Sequence, residues 1–397
     1  MVEIEFTVME GNTGDAKNLL PLLEAFEKQY YIHVNLTAIL WAKGWTEIAK
    51  FGIYGNGPDV SSIGTTWIGS LAAMQTLRPF TPQQVRALGG AESFFESSWQ
   101  TGFLPNDPTV WAIPWLSDVM VLYYWKDALE KAGIQNFEAA FSTDAALVET
   151  LEKLQKSGCA YPLAITTSKN NGTVILQEAA HWVWSAGGNF ITPDGRQVIF
   201  NQPAALQGFK NYFSLWRFIS PESQTVTYPG PSFMERKALV HFAGPWLGTI
   251  GRPLYPEWGE NLGIAQVPGI TFSGGSSFVI WQYSSHYHEA FELVRFLSSQ
   301  PTCIPASPHS HEPPTRRDAI HMPSVEYDPF HRIYLQALQT DRSFPTMRLW
   351  GSVEEKLIRE ISGIWAELFT NPDQDLDTCL HRHLDPLAER LNIVLGN

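Results

Sequence analysis

Apolar and polar residues alternate over residues 2–8 (VEIEFTV), the period of a strand with one face buried. Beyond the turn Glu10-Gly11-Asn12 the period changes. Leu19, Leu20, Leu22, Leu23 and Phe26 now fall on one side of a helix expected over residues 16–30. Residues 33–40 (HVNLTAIL) predict a second strand, the stretch around 45–51 a second helix, and residues 58–60 (PDV) a third strand. The order β-α-β-α-β predicts a largely parallel sheet covered by helices. Ligands of such open sheets gather beyond the carboxyl ends of the strands. Glu10, Trp41 and the stretch 61–67 each follow a predicted strand directly, which places them on one edge.

Further along, FLPNDPTVWAIPWLSD (103–118) reads as a Pro-rich break, followed by a buried-strand run at 119–125 (VMVLYYW). Helical periods then dominate at 127–132, 145–156, 174–186 and 203–218, interrupted at 189–201 by a hairpin-like turn on Pro193-Asp194-Gly195. A short helix leading into a strand is expected at 233–246 and a strand at 262–267. Residues 268–276 read as a Gly-rich link to the apolar strand 278–281. A helix at 288–298, a loop at 301–314 and two C-terminal helices at 353–369 and 375–391 complete the pattern.

A length of 397 residues exceeds one simple core and predicts two domains or lobes. The formal charge of −13 argues against nucleic acid or anionic lipid as a partner. Aromatic content is high, with 15 Trp, 13 Tyr and 23 Phe, and Trp suits cores, interfaces and sugar-binding clefts alike. Cys159, Cys303 and Cys379 show no metal-ligand spacing; a Cys303–Cys379 bridge is open, and at least one thiol stays unpaired in a monomer. The start, MVEIEFTVMEG, has neither the basic nor the apolar region of an export signal, and no run reaches the roughly 18 apolar residues of a membrane span. The chain is therefore either cytosolic or a mature form whose signal has been removed.

Several motifs in order decide between these. LLEAFEKQYYIHVNL is followed by GPDV with a Trp at the next helix start and by AIPWLSDVMVLYYWKDALEKAGI. Then come WVWSAGGNFITPDGRQVIFNQPAALQGF, FMERKALVHFAGPW, VPGITFSGGSSFVI, AFELVRFLSSQ and PPTRRDAI. The chain resembles, over nearly its whole length, the extracytoplasmic solute-binding proteins of carbohydrate ABC transporters, the group that includes maltose- and trehalose-binding proteins. The resemblance implies an α/β, two-lobe periplasmic-binding-protein fold with a ligand cleft between discontinuous lobes. Lobe one is expected over 1–112 and 268–312, lobe two over 113–267 and 313–397. It further implies an extracytoplasmic, monomeric binding protein without cofactor, metal or enzymatic activity. Such a protein closes on a sugar or oligosaccharide and delivers it to a membrane ABC permease.

A sugar site pairs hydrogen-bonding acids, amides or Arg with flat aromatic faces. Glu10 qualifies by its place after the first strand. Trp41 ends the second strand and Trp45 lies one helical turn on, so the two share a face and one of them is expected to contact ligand. Ser62, Gly64 and Thr65 are expected near the solute, with Trp67 as packing that fixes their loop. By the resemblance, Asp118 matches a ligand-binding Asp, its other reading being a capping carboxylate, and Trp246 matches a sugar-stacking Trp, its other reading being core. Gly274 and Gly275 would let backbone approach a ligand, or simply turn the chain. Arg316 and Arg317 lie where relatives place one Arg in the site, and Trp350 is a late aromatic near the edge of lobe two. Relatives that bind disaccharides often carry an Asp at the position of Gly64 and an aromatic at that of Ser276, so the resemblance implies an altered ligand.

Two other classes stay open on the residues alone. Acidic residues are plentiful enough for the carboxylate pair of a glycoside hydrolase. His286/His288, His309/His311 and His381/His383 are His-x-His pairs, but in a helix residues i and i+2 diverge, and surface histidines are the expectation. Within the binding class, a polyol or glycerophospho compound is the alternative to sugar.

Overall fold

Alternation at the start of the chain gives what its period demands. Strand β1 (Val2–Glu10) buries Ile4, Phe6 and Val8 and exposes Glu3 and Glu5. The structure, a computed structural model, describes residues 1–10, 15–226, 228–248, 256–303 and 313–396. The chain divides into unit 1 (Met1–Asp118, Ser273–Arg332, Ser343–Gly351) and unit 2 (Val119–Phe272, Ile333–Arg342, Ser352–Asn397).

In unit 1, β2 (Ile32–Leu40) runs parallel to β1 from Val2↔Ile32 to Glu10↔Leu40, and β3 (Val60–Gly64) runs parallel to β1 on its other side. The crossovers carry the helices Leu20–Tyr30, which buries Leu23 and Phe26, and Gly44–Tyr54, which buries Ile48. The third strand starts two residues later than the period suggests and extends through Gly64. The cause is Asp59, whose carboxylate accepts the Glu5 amide at 2.9 Å and the Ser284 hydroxyl at 2.6 Å. It acts as the ladder acceptor at the strand's entrance.

Of the link expected at 268–276, residues 268–270 do bend but 271–276 are already strand. β4 (Leu77–Arg78), β5 (Ile113–Val119) and β10 (Thr271–Trp281) belong together, with β10 antiparallel to β3 from Ser276↔Gly64 to Ile280↔Val60. Gly275 has φ +122°, and a Cβ built on it would lie 2.0 Å from the Leu116 carbonyl oxygen. Glycine there admits the β5 backbone. The break expected through residue 118 therefore ends in β5, and the run 119–125 is divided at Met120, after which β6 (Val121–Trp125) begins.

In unit 2, β6 is flanked by β8 (Val240–Ala243) and β9 (Leu262–Gln266), both antiparallel to it, and β7 (Leu163–Ala164) adds to β8. Helices Asp144–Lys156, Val174–Ser185, Pro203–Phe213 and Leu376–Leu395 belong to this unit, as does most of Trp350–Thr370. Leu147, Leu151 and Leu154 of the first are fully buried at helical spacing. The helix expected to 218 tightens to a 3₁₀ turn after Phe213. The hairpin turn forms, closed by an Ile191↔Val198 bridge. Inside this unit the Nδ1–H of His241 donates to the Ala164 carbonyl at 2.8 Å, and burial pushes the imidazole down to about 4.

The unit boundaries differ from the expected lobes. Residues 313–332 and 343–351, expected in lobe two, pack with unit 1. Pro313 accepts the Ser117 amide at 3.2 Å, Thr315 donates to the Trp115 carbonyl at 3.1 Å, and Thr346 donates to the Thr101 carbonyl at 2.9 Å. Met347 backbone lies against Gly69, where a Cβ would approach within 2.6 Å. The Cys303–Cys379 bridge that the sequence left open does not form, and among the described residues no cysteine is in a disulfide.

Candidate functional site

Strand register alone brings several candidates level in unit 1. Glu10 pairs with Leu40, Ser276 pairs with Gly64, and the Thr7↔Ser61 register continued by three residues sets Glu10 beside Gly64. Trp41 follows Leu40 and Thr65 follows Gly64, so five candidates share the carboxyl edge of β1–β3.

Tryptophan on this edge is unusually exposed. Trp41 and Trp45 are 44% and 37% exposed, although burying such a ring is strongly favourable. The half-buried Trp67 sits between them, its ring centroid 5.6 Å from Trp41 and 6.0 Å from Trp45, with tilts of 53° and 49°. Two glycines make room. A Cβ at Gly44 would lie 2.6 Å from Cη2 of Trp67, and one at Gly64 would lie 3.2 Å from Cζ3 of Trp41. The absence of a carboxylate at 64 is thus also the presence of an indole. Each aromatic pair adds about 0.5–1.5 kcal/mol beyond its area, which holds the outer rings in place while leaving their faces to solvent.

Polar groups flank the rings. Glu10 is half-buried and accepts the Ala16 amide at 3.3 Å. Ser62, Thr65 and Ser276 are buried, and the Ser62 hydroxyl has no hydrogen-bond partner among the described residues. Asp118 is half-buried near the end of β5, two residues beyond the Leu116 carbonyl that lies against Gly275. Trp246 is half-buried in unit 2, three residues past the end of β8.

Other candidates stand elsewhere. Arg316 is buried inside unit 1, its Nε and Nη2 donating to the two Asp318 oxygens at 2.8 and 2.7 Å and its Nη1 to the carbonyls of Leu88 at 2.9 Å and Ser298 at 3.3 Å. Its guanidinium is committed to the fold and holds the Asp318 carboxyl below the usual range. Arg317 is exposed, with Nε on the Phe94 carbonyl. Trp350 is fully buried, stacked on Phe344 at 4.8 Å in unit 1 rather than at an edge of unit 2. Gly274 is a buried strand residue, half-buried Gly275 lies against the Leu116 carbonyl, and Trp184 is buried in the core. Of the His-x-His pairs, His309/His311 lies outside the described residues, and His286 stands 3.4 Å from Asp59. His381 pairs with Asp385 while His383 turns to Glu360 and Glu367, the divergence a helix imposes.

Among the described residues no helix is long and apolar enough to cross a membrane. The chain is similar to a Pyrococcus abyssi maltotriose-binding protein, 21% identical over 85% of this chain and 71% of that one. A Deinococcus radiodurans relative, described as "Probable ABC transporter-binding protein", is 26% identical, but the chain spans only 47% of its length, and the match 47% of this chain. The solved sugar-binding protein MalE of Xanthomonas citri superposes over 100% of this chain and 98% of its own, at a TM-score of 0.83 and 20% identity. The fold is therefore the two-lobe α/β fold of MalE-type proteins. The family model described as bacterial extracellular solute-binding protein matches residues 10–302, well over half of the chain. By fold and family model together, the chain belongs to the bacterial extracellular solute-binding proteins.

Proposed function

We propose that the protein binds a sugar or oligosaccharide outside the cytoplasm and delivers it to the permease of an ABC importer, acting as a monomer and without bond chemistry. The observation that carries this reading is the pair of exposed indoles, Trp41 and Trp45, buttressed by Trp67 beside the Glu10 carboxylate. Indole faces take the C–H faces of a pyranose, and an ionised carboxylate accepts hydroxyls in bonds about twice as strong as neutral ones. Ser62, Gly64, Thr65, Asp118 and Ser276 complete the set expected in unit 1, and Trp246 is the candidate in unit 2. α-Linked glucose oligosaccharides are the first class to test, because one relative is a maltotriose-binding protein and a protein of the same fold is sugar-binding.

A thermal-shift screen over mono-, di- and oligosaccharides and polyols tests the reading. A ligand at about 100 times its Kd stabilises by about 2.7 kcal/mol, a readily measured shift. Flat responses to every carbohydrate, or a response to polyols alone, would sink the sugar assignment. Sugar release beyond one turnover from any oligosaccharide would show an enzyme instead.

A further inference from the structure

The two C-terminal helices, Trp350–Thr370, which lies in unit 2 from Ser352 on, and Leu376–Leu395, bring together a set of donors that sugar binding does not use. Cys379 and His383 are four residues apart on the second helix and so share a face. Glu367, near the end of the first, reaches both. Its Oε1 lies 2.8 Å from Nε2 of His383, and its Oε2 lies 3.6 Å from Sγ of Cys379. One donor atom from each of the three residues falls within 4.8 Å of the others. The far nitrogen of His383, Nδ1, is 2.7 Å from Oε2 of Glu360, seven residues earlier on the first helix.

We propose that Cys379, His383 and Glu367 form a binding site for a borderline-soft divalent cation of the zinc type, with Glu360 orienting the imidazole. Thiolate, imidazole and carboxylate are the donors such ions take, at about 2.3 Å for sulfur and about 2.0–2.2 Å for nitrogen and oxygen. A tetrahedral ion with those bond lengths sets its donors roughly 3.3–3.6 Å apart. The Sγ–Oε2 separation already fits. Oε2 is then the ligating oxygen of Glu367, and His383 gives up its hydrogen bond to Oε1 so that the ion sits between Nε2 and Oε2. A carboxylate behind the ligating histidine is a recurrent partner that fixes ring orientation and tautomer. On binding, Cys379 loses its thiol proton to water, so the thiolate and Glu367 together balance the charge of the ion. Three protein ligands leave one position for water. The ion would staple the two helices.

One neighbour competes. Nη2 of Arg382 pairs with Oε2 of Glu367 and stands 3.7 Å from Sγ of Cys379. Its side chain is 56% exposed, so it can swing into water at little cost.

The test is titration of the metal-stripped full chain with Co²⁺ and then Zn²⁺. The expected result is a near-ultraviolet thiolate-to-cobalt charge-transfer band saturating at one equivalent, with the visible bands of a four-coordinate ion, both bleached by one equivalent of Zn²⁺. Cys379→Ser abolishes the charge-transfer band and His383→Gln weakens binding at least tenfold. Glu360→Ala weakens it about 10–100-fold, and Arg382→Gln, which leaves every donor in place, tightens it several-fold. Circular dichroism checks that the variants fold, and the wild-type spectrum decides the matter if Cys379→Ser does not. No charge-transfer band in the wild type overturns the site, as does a band that survives Cys379→Ser or affinity unchanged by His383→Gln. Cobalt held only by surface histidines gives no such band and counts against it.

Discussion

Replacing Arg316 with Met separates a residue that builds the fold from one that meets a ligand. The side chain is 7% exposed and makes four hydrogen bonds, two to Asp318 and one each to the carbonyls of Leu88 and Ser298. Met keeps the apolar stem but leaves the two carbonyls without this donor, at about 1–3 kcal/mol each. Asp318 is 45% exposed, so water takes over its oxygens and the lost pair contributes only about 1 kcal/mol. The expected destabilisation is thus about 3–7 kcal/mol, a fall in the melting temperature of roughly 4–8 °C when the 397-residue chain unfolds as one unit. Calorimetry and urea unfolding measure it, and sugar titration below the transition measures affinity. Because Arg316 holds the Asp318 carboxyl below its ordinary value, this contribution is present above the unfolded value of about 3.9 and is lost as pH falls through the lower folded one. The gap between wild type and Arg316→Met should therefore narrow below about pH 4. An unchanged melting temperature with sugar affinity reduced tenfold would refute the reasoning and return Arg316 to the binding site.

Gly275→Ala sets a Cβ 2.0 Å from the Leu116 carbonyl oxygen at φ +122°, so it should lower stability by about 3 kcal/mol or more; an unaltered urea midpoint would show that β5 and β10 do not approach this closely. His241 is held neutral by burial, with its folded value near 4 below the unfolded 6.5. Its contribution is complete above about pH 6.5 and is lost as pH falls towards 4, about 3 kcal/mol in all. Urea midpoints from pH 7 to pH 4 should fall more steeply for the wild type than for His241→Gln, and parallel slopes would contradict the assignment.

The first two strands and the helices between them are legible because each buries one face, so local period and tertiary environment agree. β3 is less so. Ser61 and Ser62 read as loop, yet they are buried, and Ser61 earns its place by bonding Thr7 at 2.6 Å and the Trp281 indole at 2.8 Å. In β10 the Gly-Gly pair reads as a link because the partner that requires Gly275, the Leu116 backbone, lies far away in sequence. The same limit governs Arg316, whose Nη1 is taken by the carbonyls of Leu88 and Ser298, which no local pattern reveals. Trp41 and Trp45 were readable as candidates because strand ends locate them without tertiary information. What needed coordinates was Trp67 between them and the space that Gly44 and Gly64 provide. His-x-His spacing drew attention to His383, but the relevant spacing is Cys379 to His383, and Glu367 joins them only through helix packing.

The central claim is sugar recognition by the Trp41–Trp45 face, and calorimetric titration of wild type and Trp41→Ala with the oligosaccharide giving the largest thermal shift tests it most directly. Loss of one stacking face should weaken binding about tenfold, or about 1.4 kcal/mol. The free variant should stay folded at the titration temperature, since it gives up the contact with Trp67, about 0.5–1.5 kcal/mol beyond the area that contact covers. The account predicts saturable one-to-one binding in the wild type with that tenfold loss in the variant. Equal affinities for the two proteins, or no heat from any oligosaccharide, would contradict it.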